Sequence, residues 1–406
     1  MRKKSILVCD DNQQIARRWS SQIQEVCPPD FASESLPQAE LVEVIASLEE
    51  RRKNARSSGG HDGGRSKNRF DEADILVIDY DLLNLKSQSF ITGENLSYLA
   101  RCYSRCGLIV GLNQFGTNDF DLSLKGHPES CADLNVGGNQ VSNPGLWKGE
   151  WTGFRPWHWP ILPLALQAYE RRIRELKTNL DEPIVPFLGL DNDETLSLPA
   201  STTEFLGRRE DVTKITFRAF VSSSGNGLRP KDKAYDEETV ARIAAARLWK
   251  WLERVVLAGQ DILVDAPHLV SRFPSLLNVS RGKLESWNKS ASLDRDDKVG
   301  LDTRKISKCR FRKSSWLSRP AWSWKCVRSI NSILEVASPW DKEGSGFVFC
   351  EDISRFLPKA SARRFVADLA SPYVQRFVSD ASSRECKRFA AALRSVNYRP
   401  QVRFSL

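Results

Sequence analysis

Three runs of unbroken apolar residues punctuate the first 115 positions: Ile6-Leu7-Val8, Ile75 to Ile78, and Leu108 to Leu112. Strands without polar alternation are those covered on both faces, as in a parallel sheet packed between helices. The intervening stretches have helical spacing. Ile15, Trp19, Ile23 and Val26 recur at steps of four, four and three, and Cys27-Pro28-Pro29 ends that helix. Leu41, Val44, Ile45 and Leu48 share one face of a second helix over 41–52, and a third is predicted over about 93–104. Ala132 to Val136 reads as a further strand. Strand and helix therefore alternate, which predicts an α/β domain built on a doubly wound parallel sheet.

The pattern lapses in two places. Residues 53–69 are small, polar and charged, so they read as a flexible loop. Residues 143–160 carry four tryptophans and three prolines without a period. A charged amphipathic helix over 164–177 closes the first domain at about residue 180. Pro183, Pro186 and the acidic run 191–194 suggest a linker over 181–210. Residues 211–406 read as a second, mainly helical α+β domain of no assigned family. Its strongest helix pattern covers 236–259, with Gly259 as a stop. Further helices are predicted near 327–336, 360–377 and 384–396, and short strands at 261–265 and 346–352.

Length supports this division, because 406 residues exceed one ordinary domain. No segment approaches the roughly 18 unbroken apolar residues that span a bilayer, so a membrane role is not expected. Nine scattered cysteines and four histidines make no zinc pattern, and reduced cysteines in a cytoplasmic protein are the expectation. The net charge of +9 is compatible with an acidic partner such as nucleic acid.

Chemistry enters at the strand ends. Asp10 and Asp11 follow the first apolar strand, and Asp79 ends "ILVID". In a parallel sheet the ligand site lies beyond the carboxyl ends of the strands, so the three should converge. Three carboxylates there could hold a hard cation such as Mg²⁺.

With these residues the first domain, over about 4–178, resembles a response-regulator receiver domain. The resemblance implies that Asp10 and Asp11 help to bind Mg²⁺, with Asp79 as the acceptor of a phosphoryl group from a histidine kinase. It also implies a hydroxyl after the strand at 107–115 and a lysine after the strand at 132–136. Asn113 occupies the first slot, with Thr117 later. Lys125 and Lys148 flank the second without filling it.

Other groupings compete. Arg304 to Ser329 holds nine basic residues and no acid, with Trp316, Trp322 and Trp324 interleaved. Arg310, Arg312, Lys313 and Trp316 are its candidates for nucleic-acid contact, against a solvated face whose tryptophans enter the core. Asp265 and His268 flank Pro267 and read first as a hydrogen-bonded turn, and Glu351 and Asp352 as helix-start acids. A pocket joining Asp265, His268 and Glu351 would instead favour an enzyme. The leading expectation is a signalling protein rather than an enzyme. Its partners would be a histidine kinase or another signalling protein, nucleic acid, or a second copy of the chain in a homo-oligomer.

Overall fold

A computed structural model of the chain describes residues 2–57, 68–82, 84–85, 91–113, 130–151, 155–157, 159–196, 198, 200–207, 211–223, 236–277, 282–291, 300–336, 340, 345–366, 375–380 and 396–397. The chain divides into two compact units. The first comprises 1–152, 160–250 and 402–406, and the second 153–159 and 251–401.

The first unit is built on five parallel strands: β1 (Lys4–Cys9), β2 (Phe31–Ser35), β3 (Ile75–Asp79), β4 (Leu108–Asn113) and β5 (Leu134–Gly137). Their order is β2-β1-β3-β4-β5. All five residues of β3 are buried, as its apolar run requires. The sequence reading did not anticipate β2. This edge strand, FASES, fully buries only Phe31, so it lacks the continuous apolar signal.

Helix α1 (Gln13–Val26) starts on Asn12, whose side chain accepts from the amides of Gln14 and Ile15. It buries Ala16, Trp19 and Ile23. Helix α2 (Gln38–Ser57) runs five residues into the expected loop, burying Ala55, and Arg51 pairs with Asp71 at 2.7 Å. Residues 58–67 of that loop lie outside the described residues. Helix α3 (Gly93–Tyr103) begins hard against the end of β3. A Cβ on Gly93 would lie 2.2 Å from the Asp79 carbonyl oxygen, so only glycine fits there.

Helices α4 (Pro144–Lys148) and α5 (Leu162–Leu176) follow. The stretch expected to be a linker carries the short helices Ile184–Phe187, Asn192–Leu196 and Ala200–Thr203, with Ile184, Val185 and Leu188 buried. The long helix Glu237–Trp251 is held by buried cations reaching backbone carbonyls. Arg242 donates to Cys106 O at 3.0 Å and Arg247 to Ser130 O at 2.9 Å. Lys250 donates to Ser130 O at 3.0 Å and Ala132 O at 2.9 Å. Each bond offsets the desolvation of a buried charge and satisfies a carbonyl leading into β4 or β5.

In the second unit, the helical path continues as a π-turn, Leu252–Val256, and stops at Gln260 rather than Gly259, with Gln260 at φ 54°. Strands β6 (Leu263–Asp265) and β7 (Ala321–Ser323) pair antiparallel. A second five-stranded sheet joins β8 (Phe347–Cys350), β9 (Arg355–Pro358), β10 (Ala362–Val366), β11 (Arg376–Ser379) and β12 (Val396–Asn397), in mixed orientation. Two expected helices are therefore corrected. The stretch 360–377 contributes strands β10 and β11, and Pro372 would have interrupted a helix there. Near 327–336 the helix is only Trp324–Arg328. The helix expected over 384–396 falls outside the described residues up to 395, and Val396 begins β12. The core of this unit includes Trp157, Leu269, Phe273, Trp287, Trp322, Phe349 and Phe356.

Candidate metal centre at the sheet's carboxyl edge

Strands β1 and β3 are neighbours, with Cys9 opposite Ile78. The residues that follow this pair, Asp10 and Asp79, therefore emerge side by side, and Asp11 stands next to them. One carboxylate oxygen from each of the three lies within 4.8 Å of the others. Chain connections leave β1 toward β2 on one side, while β3 lies on the other. This is the switch point at which parallel sheets open a crevice for ligands.

Asp10 is 1% exposed and Asp79 2%, whereas Asp11 is half-buried. Asp10 Oδ1 accepts the Asn12 amide at 2.6 Å, while its Oδ2 is buried without a hydrogen-bond partner. Asp11 Oδ2 accepts the Asn84 amide at 2.8 Å. Burial, reinforced by the neighbouring Asp11 charge, pushes the Asp10 carboxyl up to about 7, against the pull of the Asn12 amide and Arg18. A buried carboxylate oxygen lacking a donor, in a cluster of like charges, is the donor set that a hard divalent cation satisfies. The residues fit such an ion.

Next to Asp79 in the chain, Tyr80 donates to Glu94 Oε2 at 2.9 Å, and Glu94 also accepts from Ser130 Oγ at 2.6 Å and from the Cys131 amide at 2.7 Å. Asn135, on β5, is buried with neither amide atom hydrogen-bonded. Sequence reasoning missed Glu94 and Asn135, because neither terminates an apolar strand. Asn113 ends β4, and β5 ends at Gly137, followed by Gly138. Lys148 lies on α4, while Thr117 and Lys125 fall outside the described residues.

A second constellation lies in the other unit. Asp265 caps the helix Ala266–Arg272, accepting the His268 amide at 3.3 Å, and its Oδ1 lies 2.6 Å from His268 Nδ1. Trp157 Nε1 donates to Asp265 Oδ2 at 2.5 Å. His268 Nε2 is 3.6 Å from Glu351 Oε1, and Glu351 in turn pairs with Arg376 through two guanidinium nitrogens. Burial opposes the His268 charge, yet the Asp265 carboxylate and Glu351 raise its pKa above the ordinary value. Burial likewise acts to raise Asp265, but His268 and Arg319 hold it below the usual carboxylate range. The hydrogen-bonded turn expected from the sequence is present. Glu351 does join it, but the adjoining cavity, lined by Trp157, Asp265, Arg319 and Ser354, measures about 10 Å³. That admits one water and no substrate. Asp352 accepts from the Ser379 amide at 3.0 Å and from Ser379 Oγ at 2.5 Å, which ties β8 to β11 instead of starting a helix.

In the basic tract, Arg312 is exposed and Arg310 and Lys313 are half-buried. Trp316 and Trp322 are fully buried, so neither presents a ring to a base. The expectation of reduced cysteines also changes here. Cys309 and Cys326 form a disulfide with Cα atoms 5.3 Å apart, brought together where Phe311 N donates to Ala321 O at 2.9 Å. Cys9, Cys27, Cys102, Cys106, Cys131 and Cys350 are free and buried. Among the described residues, no helix is long and apolar enough to cross a membrane. Compared with known proteins, the chain matches no family model, no curated protein and no solved structure.

Proposed function

We propose that the first unit is a receiver-like signalling module, of the flavodoxin-like doubly wound type, whose Asp79 accepts a phosphoryl group. The observation that carries this reading is the meeting of Asp10, Asp11 and Asp79 within 4.8 Å at the β1/β3 switch point. An Asp79 oxygen attacks the phosphorus of a phosphohistidine on a partner kinase. The O–P bond forms as the P–N bond breaks, and the leaving imidazole keeps the electron pair and takes a proton. Asp10 and Asp11, with Asp79, would hold Mg²⁺, which when bound supplies counter-charge for the phosphoryl oxygens.

Gly137 and Gly138 stand where the family's lysine is expected, so the phosphoryl group is followed by other residues. Tyr80 adjoins Asp79 in the chain and reaches Ser130 through Glu94, and the Ser130 carbonyl holds Arg247 and Lys250. This network supports a route from the acceptor to the long helix. The second unit is then the output part of the chain.

The test is intact mass after incubation with Mg²⁺ and a small phosphoryl donor, comparing the wild type with Asp79→Asn. The expected result is one phosphoryl group on the wild type and none on the variant. Equal labelling of both, or of neither, would remove Asp79 as acceptor.

A further inference from the structure

We propose that the exposed cations of residues 304–328 form a docking surface for the phosphodiester backbone of a nucleic-acid duplex. The surface belongs to the second unit alone and does not depend on the aspartate site.

Arg304, Lys305, Lys308, Arg312, Lys325 and Arg328 are exposed. They come from two stretches of chain, 304–312 and 325–328. The Cys309–Cys326 disulfide locks these stretches side by side, and the bridge between Arg310 and Trp322 aligns them. Lys308 and Lys325 each immediately precede a bonded cysteine, so their backbones are adjacent. Lys305 pairs with Asp302 at 3.1 Å and Arg328 with Glu335 at 3.3 Å. Arg304, Lys308 and Arg312 make no ion pair among the described residues, so their charge faces solvent. The tract itself contains no acid.

The tryptophans decide which polyanion fits. Single-strand binders gain affinity by stacking bases on exposed aromatic rings. Here Trp316 and Trp322 are in the core, and Trp324 packs on Phe273 with ring centroids 5.4 Å apart, under the Arg272 guanidinium. Phe311 and Trp324 are half-buried, so the fully exposed side chains of the tract are its charged and hydroxyl groups, with no fully exposed ring. A duplex presents phosphates outward and keeps its bases stacked, so this surface matches its backbone and reads no sequence.

The probe is a fluorescent mixed-sequence DNA duplex, titrated by anisotropy over a salt series. The proteins are the full-length wild type, a triple variant (Arg304→Ala, Lys308→Ala, Arg312→Ala), the three single variants, and Lys214→Ala as an exposed control in the first unit. Circular dichroism checks that each variant is folded. The wild type should bind, with affinity falling steeply as salt rises. The triple variant should lose about tenfold or more at low salt, and its salt slope should flatten by about three. Each single variant should flatten it by about one, and Lys214→Ala should match the wild type. The proposal is overturned if the wild type ignores the duplex at low salt, or if the triple variant binds it undiminished. Tighter binding to a single strand of the same sequence, an acidic peptide or anionic vesicles would also overturn it.

Discussion

The aspartate site of the first unit and the histidine cluster of the second both bury acids drawn from distant parts of the chain, and they differ in how that charge is balanced. In the second unit, Glu351 has Arg376 and Asp265 has His268, and the cavity beside them has room for one water. In the first unit, Asp10 makes no ion pair among the described residues, retains a buried oxygen without a donor and has a raised pKa. A buried network whose charges are matched internally holds a fold together. One that leaves charge uncompensated is a candidate site for a counter-charge. This contrast is why the first site, and not the second, is read as functional.

Unbalancing the matched cluster should have the largest effect. Arg376→Met should strand the Glu351 carboxylate and destabilise the protein by about 3–5 kcal/mol in denaturant unfolding. A change near zero would show that the cluster is not the structural element described. Reducing the Cys309–Cys326 bond, which closes a loop of sequence separation 17, should cost about 3 kcal/mol. Hydrogen exchange would place that loss in the second unit.

Asp10→Asn should have the opposite sign. Removing an uncompensated buried charge should stabilise the metal-free protein by about 1–2 kcal/mol at pH 8. Destabilisation would mean that the Asp10 charge is already compensated.

The pH dependences sharpen the contrast further, with smaller effects. A carboxyl raised to about 7 is protonated more readily in the folded than in the unfolded state. Without metal, the Asp10 contribution to stability therefore declines as pH rises from about 4 to about 7. His268, raised in the fold, stabilises fully below its ordinary pKa, and that contribution is lost as pH rises through the folded value. Asp265, lowered in the fold, loses its contribution as pH falls through its folded value. Exchange in the helix Ala266–Arg272 should accordingly be slowest between those limits. Fastest exchange within that window would contradict the paired assignment.

The parts legible in sequence were those with continuous apolar signal. The strand ends carrying Asp10 and Asp79 could be placed because β1 and β3 are buried runs, and a parallel sheet aligns their carboxyl ends. Strand β2 escaped notice because an edge strand needs only one covered residue, Phe31. The stretch expected to be a helix over 360–377 holds β10 and the start of β11, and Pro372 between them is the local signal against a helix. Glu351 could be grouped with His268 only as a conditional alternative, since 83 positions separate them and only the fold of the second unit closes that distance. The disulfide left no signature either, because a single pair 17 residues apart forms no spacing pattern.

Isothermal titration of Mg²⁺ into the wild type and Asp10→Asn tests the central claim most directly. The wild type should show one site, tightening as pH rises past about 7, where the Asp10 carboxyl becomes fully ionised, and the variant should show no such site. Identical titrations for the two proteins, or no binding to the wild type at pH 8, would contradict it.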